Sequence, residues 1–160
     1  MSNNISDIEV KTIQGQEKKL ADYAGNVLLI VNVASECGLT PQYAGLEEVN
    51  ALYRERGLRV LGFPSNDFGG QEPGTNAEIC DFAVKRFGVT FDMFEKVQTK
   101  GAQQHPLYAR LTGAFEPKED VSWNFEKFLV NRQGEIIARF KPRVEPGSDE
   151  VINAIEKALA

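Results

Sequence analysis

Apolar and polar positions divide the chain into short unbroken apolar runs separated by longer stretches of helical spacing. The densest run is Val27 to Ala34, in which Asn32 is the only polar residue. A run this short, without alternation and rich in β-branched Val and Ile, predicts a strand buried on both faces. It ends in a polar loop, Ser35 and Glu36, which places Cys37 just ahead of a helix. Thr40 is the expected N-cap and Pro41 the first helical residue, where the missing N–H costs nothing. Tyr43, Leu46, Val49 and Tyr53 recur at spacings of three and four, which predicts one apolar face on a helix from Pro41 to Arg56. Gly57 stops it. Leu58 to Phe63 is a second buried run, and strand, helix and strand within such a length imply a right-handed crossover with parallel pairing.

The remaining elements follow by the same reasoning. Ile8 to Ile13 and Lys18 to Leu20 flank a turn at Gly15 and predict an opening hairpin. Pro64 to Gly74 is dense in Pro, Gly, Asn and Asp and too long for a turn, so it reads as a binding or catalytic loop. Thr75 or Asn76 caps the next helix, with Glu78 in its first turn and Ile79, Phe82, Ala83 and Phe87 as its buried side. Cys80 sits one residue round from that side. Val89 to Val97 reads as irregular chain passing into strand, and Lys100 to Gln104 as a polar loop. His105 and Pro106 open a short helix to Thr112, with His105 as a structural hydrogen-bonder rather than a catalyst. Glu116 to Ser122 is acidic and exposed. Trp123 and Asn124 stand at the mouth of a strand that ends at Val130; read alone, they are a core anchor and a turn residue. Asn131 to Gly134 turns the chain into a partner strand, Ile136 to Phe140. A closing helix runs from Asp149 to Leu159, with Val151, Ile152, Ile155 and Leu159 inward.

Composition changes this picture mainly by exclusion. The 160 residues fit one domain spanning 1-160, and 42% hydrophobic with 26% charged residues is ordinary for a soluble globular protein. A net charge of −5 with no block of Lys or Arg gives no footprint for a phosphate backbone, so nucleic-acid binding is not expected. Met1 to Asp7 carries no apolar core and no stretch reaches the length of a membrane span, so a cytoplasmic protein without membrane insertion is expected. The 2 cysteines, Cys37 and Cys80, are too few for a disulfide scaffold, and with His105 the only histidine a metal site is not expected.

Cys37 is the candidate for chemistry. Free cysteine is commonly an inert core residue. Here a buried strand, a polar loop, Cys, Gly and a helix start occur together, and unsatisfied N–H groups at a helix N-terminus favour the thiolate, which is the nucleophile. The order of elements predicts an α/β fold with a central mixed sheet flanked by helices. A reactive cysteine at the first strand-to-helix junction makes this the thioredoxin-like arrangement. There is no C-x-x-C, since Gly38, Leu39 and Thr40 follow Cys37, and disulfide exchange through adjacent thiols is correspondingly disfavoured.

Three segments in order resemble the glutathione peroxidase family: Asn32 to Thr40, Gly62 to Gly74, and Trp123 to Leu129. The resemblance covers nearly the whole chain. It implies a thioredoxin-like fold, reduction of hydrogen peroxide and organic hydroperoxides through Cys37, and no cofactor. It also implies that the Trp123 N–H and the Asn124 amide donate to the sulfur or the peroxide. Asp67 stands where the family usually has glutamine, and Ser65 where it often has cysteine. An ionised aspartate accepts only and would repel a thiolate unless it is protonated or turned away. Relatives that use thioredoxin carry a resolving cysteine at positions matching Ala83 or Val84. Cys80 lies about one turn earlier, roughly 5 Å along the axis, on a face from which local unwinding would be needed to reach Cys37. The short stretch from Thr112 to Trp123, and the lack of a basic cluster for glutathione, imply a monomer reduced by thioredoxin rather than glutathione. The alternative is a peroxide sensor that oxidises a partner protein; a third reading is a silent thioredoxin-like binding module.

Overall fold

The computed structural model describes residues 3–160, so the first residues of the polar stretch from Met1 lie outside it. Its centre is a five-stranded sheet in the order β5-β4-β3-β6-β7, and a separate hairpin pairs β1 (Glu9–Lys11) with β2 (Glu17–Lys19). β3 (Val27–Val33) is the middle strand. It runs parallel to β4 (Leu58–Pro64), with Val27 opposite Leu58 and Val33 opposite Pro64, and antiparallel to β6 (Lys127–Val130). β7 (Ile136–Phe140) closes one edge as the hairpin partner of β6, and the short β5 (Asp92–Met93) closes the other.

The unbroken apolar run of β3 is explained by what covers it. Leu29, Val31 and Val33 face a core built by α1 (Gln42–Tyr53), α2 (Asn76–Phe87) and α4 (Asp149–Leu159). Leu28 and Ile30 face the opposite core, which is closed by the hairpin and by α3 (Pro106–Gly113). Each such side chain taken out of water contributes about 1.5–3 kcal/mol, so a slip of one residue would cost the fold on both faces at once. Cys37 belongs to the first core.

The helix ends differ in detail from their sequence reading. α1 starts at Gln42, with Pro41 at the cap position, because the Thr40 side chain is engaged upstream rather than with the helix. Its regular turns end at Tyr53, a 3-10 turn follows over Arg54–Arg56, and Gly57 at φ +113° ends the segment. Thr75 is the cap of α2, forming a reciprocal box with Glu78. The His105 ring accepts the Leu107 N–H at 3.0 Å, the structural role expected of it. Ile152, Phe82 and Phe87, expected inward, are only partly buried. Among the described residues no helix is long and apolar enough to cross a membrane.

Candidate active site

Where β3 ends, the chain bends through Ser35 to Cys37 before α1 begins. Thr40 knits this bend: its hydroxyl accepts the Cys37 N–H at 2.9 Å and donates to the Ala34 carbonyl at 2.8 Å. Thr40 was the expected helix cap; its oxygen instead fixes the backbone of the cysteine. The bend also directs the Leu39 N–H at the Cys37 sulfur, 3.3 Å away. Among the described residues this is the one donor to that atom, and a thiolate accepts such a bond better than a thiol does. Cys37 keeps 8% of its surface open, enough to meet a small molecule.

That opening leads into a cavity of about 630 Å³ walled by Leu39, Trp123 and Pro142, with Lys141 and Arg143 at its margin. Trp123 is brought there by an unusual stretch of backbone. Asn32, the single polar residue of β3, donates to the Trp123 carbonyl at 3.0 Å, and its own carbonyl accepts the Phe125 N–H at 2.7 Å. Between these two anchors the chain turns sharply, and Phe125 adopts φ +68°. A non-glycine residue in this left-handed region costs roughly 1–2 kcal/mol, which the burial of Phe125 against the Tyr43 ring, 5.7 Å between centroids, offsets. Trp123 rests on Phe68 at 5.6 Å and remains 38% exposed. At Gly69 the backbone has φ +66°, which strains any other residue, and a side chain there would come to 3.3 Å from the indole and press it aside.

Two buried charges hold the frame. Glu126 accepts the Ser122 N–H and hydroxyl and pairs with Arg139 at 2.5 Å, while Arg139 also donates to the Glu119 and Asp120 carbonyls. The segment leading into Trp123 is thereby pinned to the sheet. Lys127 donates to the Pro142 and Val144 carbonyls at 2.9 and 2.6 Å, and Gln42 joins it on Pro142 at 2.8 Å. Burial pulls the Lys127 ammonium down to about 8, against the upward pull of Glu145 and Glu126.

The other sequence candidates fall as follows. The Asn124 amide is fully buried and gives one N–H to Gln71 at 3.1 Å. The Asp67 carboxylate accepts the Thr99 N–H and, at 2.9 Å, the Thr99 hydroxyl, and Asp67 does not line the cavity that Cys37 opens into. The buried Ser65 hydroxyl accepts the Asp67 N–H at 3.3 Å. Cys80 is a free, half-buried thiol lining a different cavity, with Ile13 and Val84. Lys141 and Arg143 line the cavity that Cys37 opens into, cations that the sequence reading did not place there. Gln71 and Glu72 were read only as parts of a motif, although Glu72 is fully buried and its carboxyl accepts the Ser35 N–H at 3.1 Å. Burial pushes that carboxyl up to about 7, with Ser35 and Lys96 pulling the other way.

The family model described as glutathione peroxidase matches residues 5–112. The chain is 44% identical to the thioredoxin/glutathione peroxidase BtuE of Escherichia coli (strain K12), over 100% of both chains. It is 45% identical to the hydroperoxy fatty acid reductase gpx1 of Synechocystis sp., covering 99% of this chain and 97% of that one. A solved thioredoxin family thiol:disulfide interchange protein from Chlorobium tepidum TLS superposes with a TM-score of 0.72 at 13% identity, over 100% and 98% of the two chains. That likeness shows a thioredoxin-like fold.

Proposed function

The chain belongs to the glutathione peroxidase family and is a peroxidase, and from that premise we propose that Cys37 is the group that reduces the hydroperoxide, with Cys80 resolving it and thioredoxin returning the electrons. The observation that carries this reading is the Leu39 N–H aimed at the Cys37 sulfur inside a cavity shared with Trp123. The thiolate attacks the terminal peroxide oxygen, an S–O bond forms and the O–O bond breaks. Cys37 becomes a sulfenic acid, and the departing alkoxide or hydroxide takes a proton from water. Trp123 and the second N–H of the Asn124 amide act through placement and field, steadying the charge that moves from sulfur to the leaving oxygen. Gln71 holds Asn124 for that task, while the Asp67 carboxylate is engaged by Thr99.

The Cys80 thiol then attacks the oxidised sulfur; an S–S bond forms and water leaves. The name of the E. coli relative carries both thioredoxin and glutathione; thioredoxin is favoured here because the half-buried Cys80 thiol, on the largely exposed α2, is open to a protein partner. Hydrogen peroxide and organic or lipid hydroperoxides fit the site: the apolar wall of Leu39, Trp123 and Pro142 suits an alkyl chain, and Lys141 and Arg143 suit a terminal carboxylate. The protein works as a monomer in the cytoplasm.

The test is peroxide consumption coupled to thioredoxin and its reductase, with glutathione run in parallel. Cys37→Ser is expected to reduce turnover to background; an unchanged rate would end the assignment. Faster turnover with glutathione would reverse the choice of reductant. Stable mixed disulfides between Cys80→Ser and a protein other than thioredoxin would favour the sensor instead.

A further inference from the structure

Between the Cys37 bend and α2 lies a cleft of about 260 Å³, lined by Ser35, Glu36, Glu72, Glu78, Ile79 and Phe82. It separates the segment that carries Cys37 from the helix that carries Cys80. The two cysteines open into different cavities, and a disulfide needs Cα atoms within about 7 Å. Movement of one segment toward the other across this cleft therefore belongs to the resolving step. Glu72 is the buried group at the seam. Its carboxyl accepts the Ser35 N–H at 3.1 Å, two residues before Cys37, and its own N–H is held by the Asn66 side chain at 2.9 Å. The neighbouring Gln71 carbonyl accepts the Glu36 N–H at 3.0 Å, so two successive amides of the bend are fastened to this loop. The second Glu72 oxygen is buried without a hydrogen bond.

We propose that Glu72 is a positioning residue for the resolving step: its neutral carboxyl latches the Cys37 bend closed, and its carboxylate lets the bend go toward α2. This rests on the assignment of Cys80 as the resolving thiol. A buried carboxylate with one hydrogen bond and an unpartnered oxygen is costly, whereas the neutral acid is not. The groups that face it are Glu36 from the bend, Tyr43 from α1, Glu78 from α2 and Lys96 from the segment after β5. The Ser35 hydrogen bonds and, less strongly, Lys96 favour the charge, and together they do not outweigh burial: the carboxyl stands at about 7 when closed, against an ordinary 4.5 once exposed. The closed form thus holds its proton across that interval and the open form sheds it. Opening becomes easier as pH rises between these values and gains nothing further above them.

The resolving chemistry supplies the readout. After one equivalent of peroxide, the Cys80 sulfur attacks the Cys37 sulfenic acid, the S–O bond breaks and water leaves, and mass spectrometry of quenched samples follows the loss of that water. Wild type and Glu72→Gln are compared from pH 5 to pH 8, and the ratio of their rates cancels the titration of Cys80 itself. The ratio is expected to rise on the order of 50-fold across that range. A ratio that stays flat while the disulfide forms would overturn the latch and leave Cys80 as the resolving thiol. No Cys37 to Cys80 disulfide at any pH would overturn both. The unsubstituted protein offers the same test should the variant fail to fold. Its Ser35 amide is expected to lose protection from hydrogen exchange on the order of 50-fold between pH 5 and pH 8, after correction for intrinsic exchange, and constant protection would overturn the latch.

Discussion

Cys37 and Cys80 border the same apolar core, yet they are held in opposite ways. Cys37 sits where the chain leaves regular structure. Its amide is taken by Thr40, its sulfur receives the Leu39 N–H, and the walls around it are tied down by Asn32, Glu126, Arg139 and Lys127. Cys80 sits mid-helix, more exposed, and among the described residues its sulfur makes no hydrogen bond. The less accessible thiol has the more elaborate surroundings. Activation and exposure are thus divided between two positions: a break in the backbone can aim an N–H at a side chain, which a regular helix, whose amides are spent on its own carbonyls, cannot do. A thiol meant to be handed on to a reductant needs only to be reachable.

The comparison breaks most severely at its frame. Arg139→Ala would leave Glu126 charged, buried and unpaired, and losing one partner of such a pair costs about 3–5 kcal/mol. The urea midpoint is expected to fall by the corresponding amount, measured at constant slope, and peroxidase activity should fall with it because the segment entering Trp123 loses its anchor. A smaller and more local effect is expected from Asn124→Ala. Removing a donor that meets developing charge typically costs about 10²–10³ in rate, so the second-order rate of Cys37 oxidation, followed by stopped flow, should drop by about that factor. Alkylation of Cys80 in the same protein should not change. Faster alkylation of Cys80 alongside the slower oxidation would mean that Asn124 supports the fold and not the reaction.

How much of this was readable in advance depended on whether a feature is local. The double-faced burial of β3 and β4, the apolar face of α1 and the structural role of His105 all follow from neighbours within a turn or two and appear in the structure as read, and of the two caps offered for α2 the structure takes Thr75. What escaped depends on partners far along the chain. Asp67 finds Thr99, Asn124 finds Gln71, and Glu72 finds Ser35, each across more than thirty positions, and no periodicity encodes such meetings. Thr40 failed for a different reason. A hydroxyl ahead of a proline can serve the helix or the bend before it, and only the course of the bend decides. The left-handed Phe125 carries no local sign, since its strain is relieved by burial against Tyr43.

The finest expected effect concerns the thiol that the frame does not hold. Thr75 and Glu78 satisfy each other's backbone N–H groups at the start of α2, one turn ahead of Cys80. Removing the threonine hydroxyl forfeits a cap worth about 1 kcal/mol, so Thr75→Ala should fray the first turn without disturbing Ile79 and Ala83, which are anchored in the core. The energy corresponds to roughly a fivefold change in the population of the frayed helix. If α2 must loosen for the two sulfurs to meet, disulfide formation after a single oxidation should accelerate by about that factor, while the rate of Cys37 oxidation stays where it was. Faster alkylation of Cys80 with no gain in disulfide formation would place the limiting movement in the Cys37 bend, on the Glu72 side of the cleft, and not in the helix.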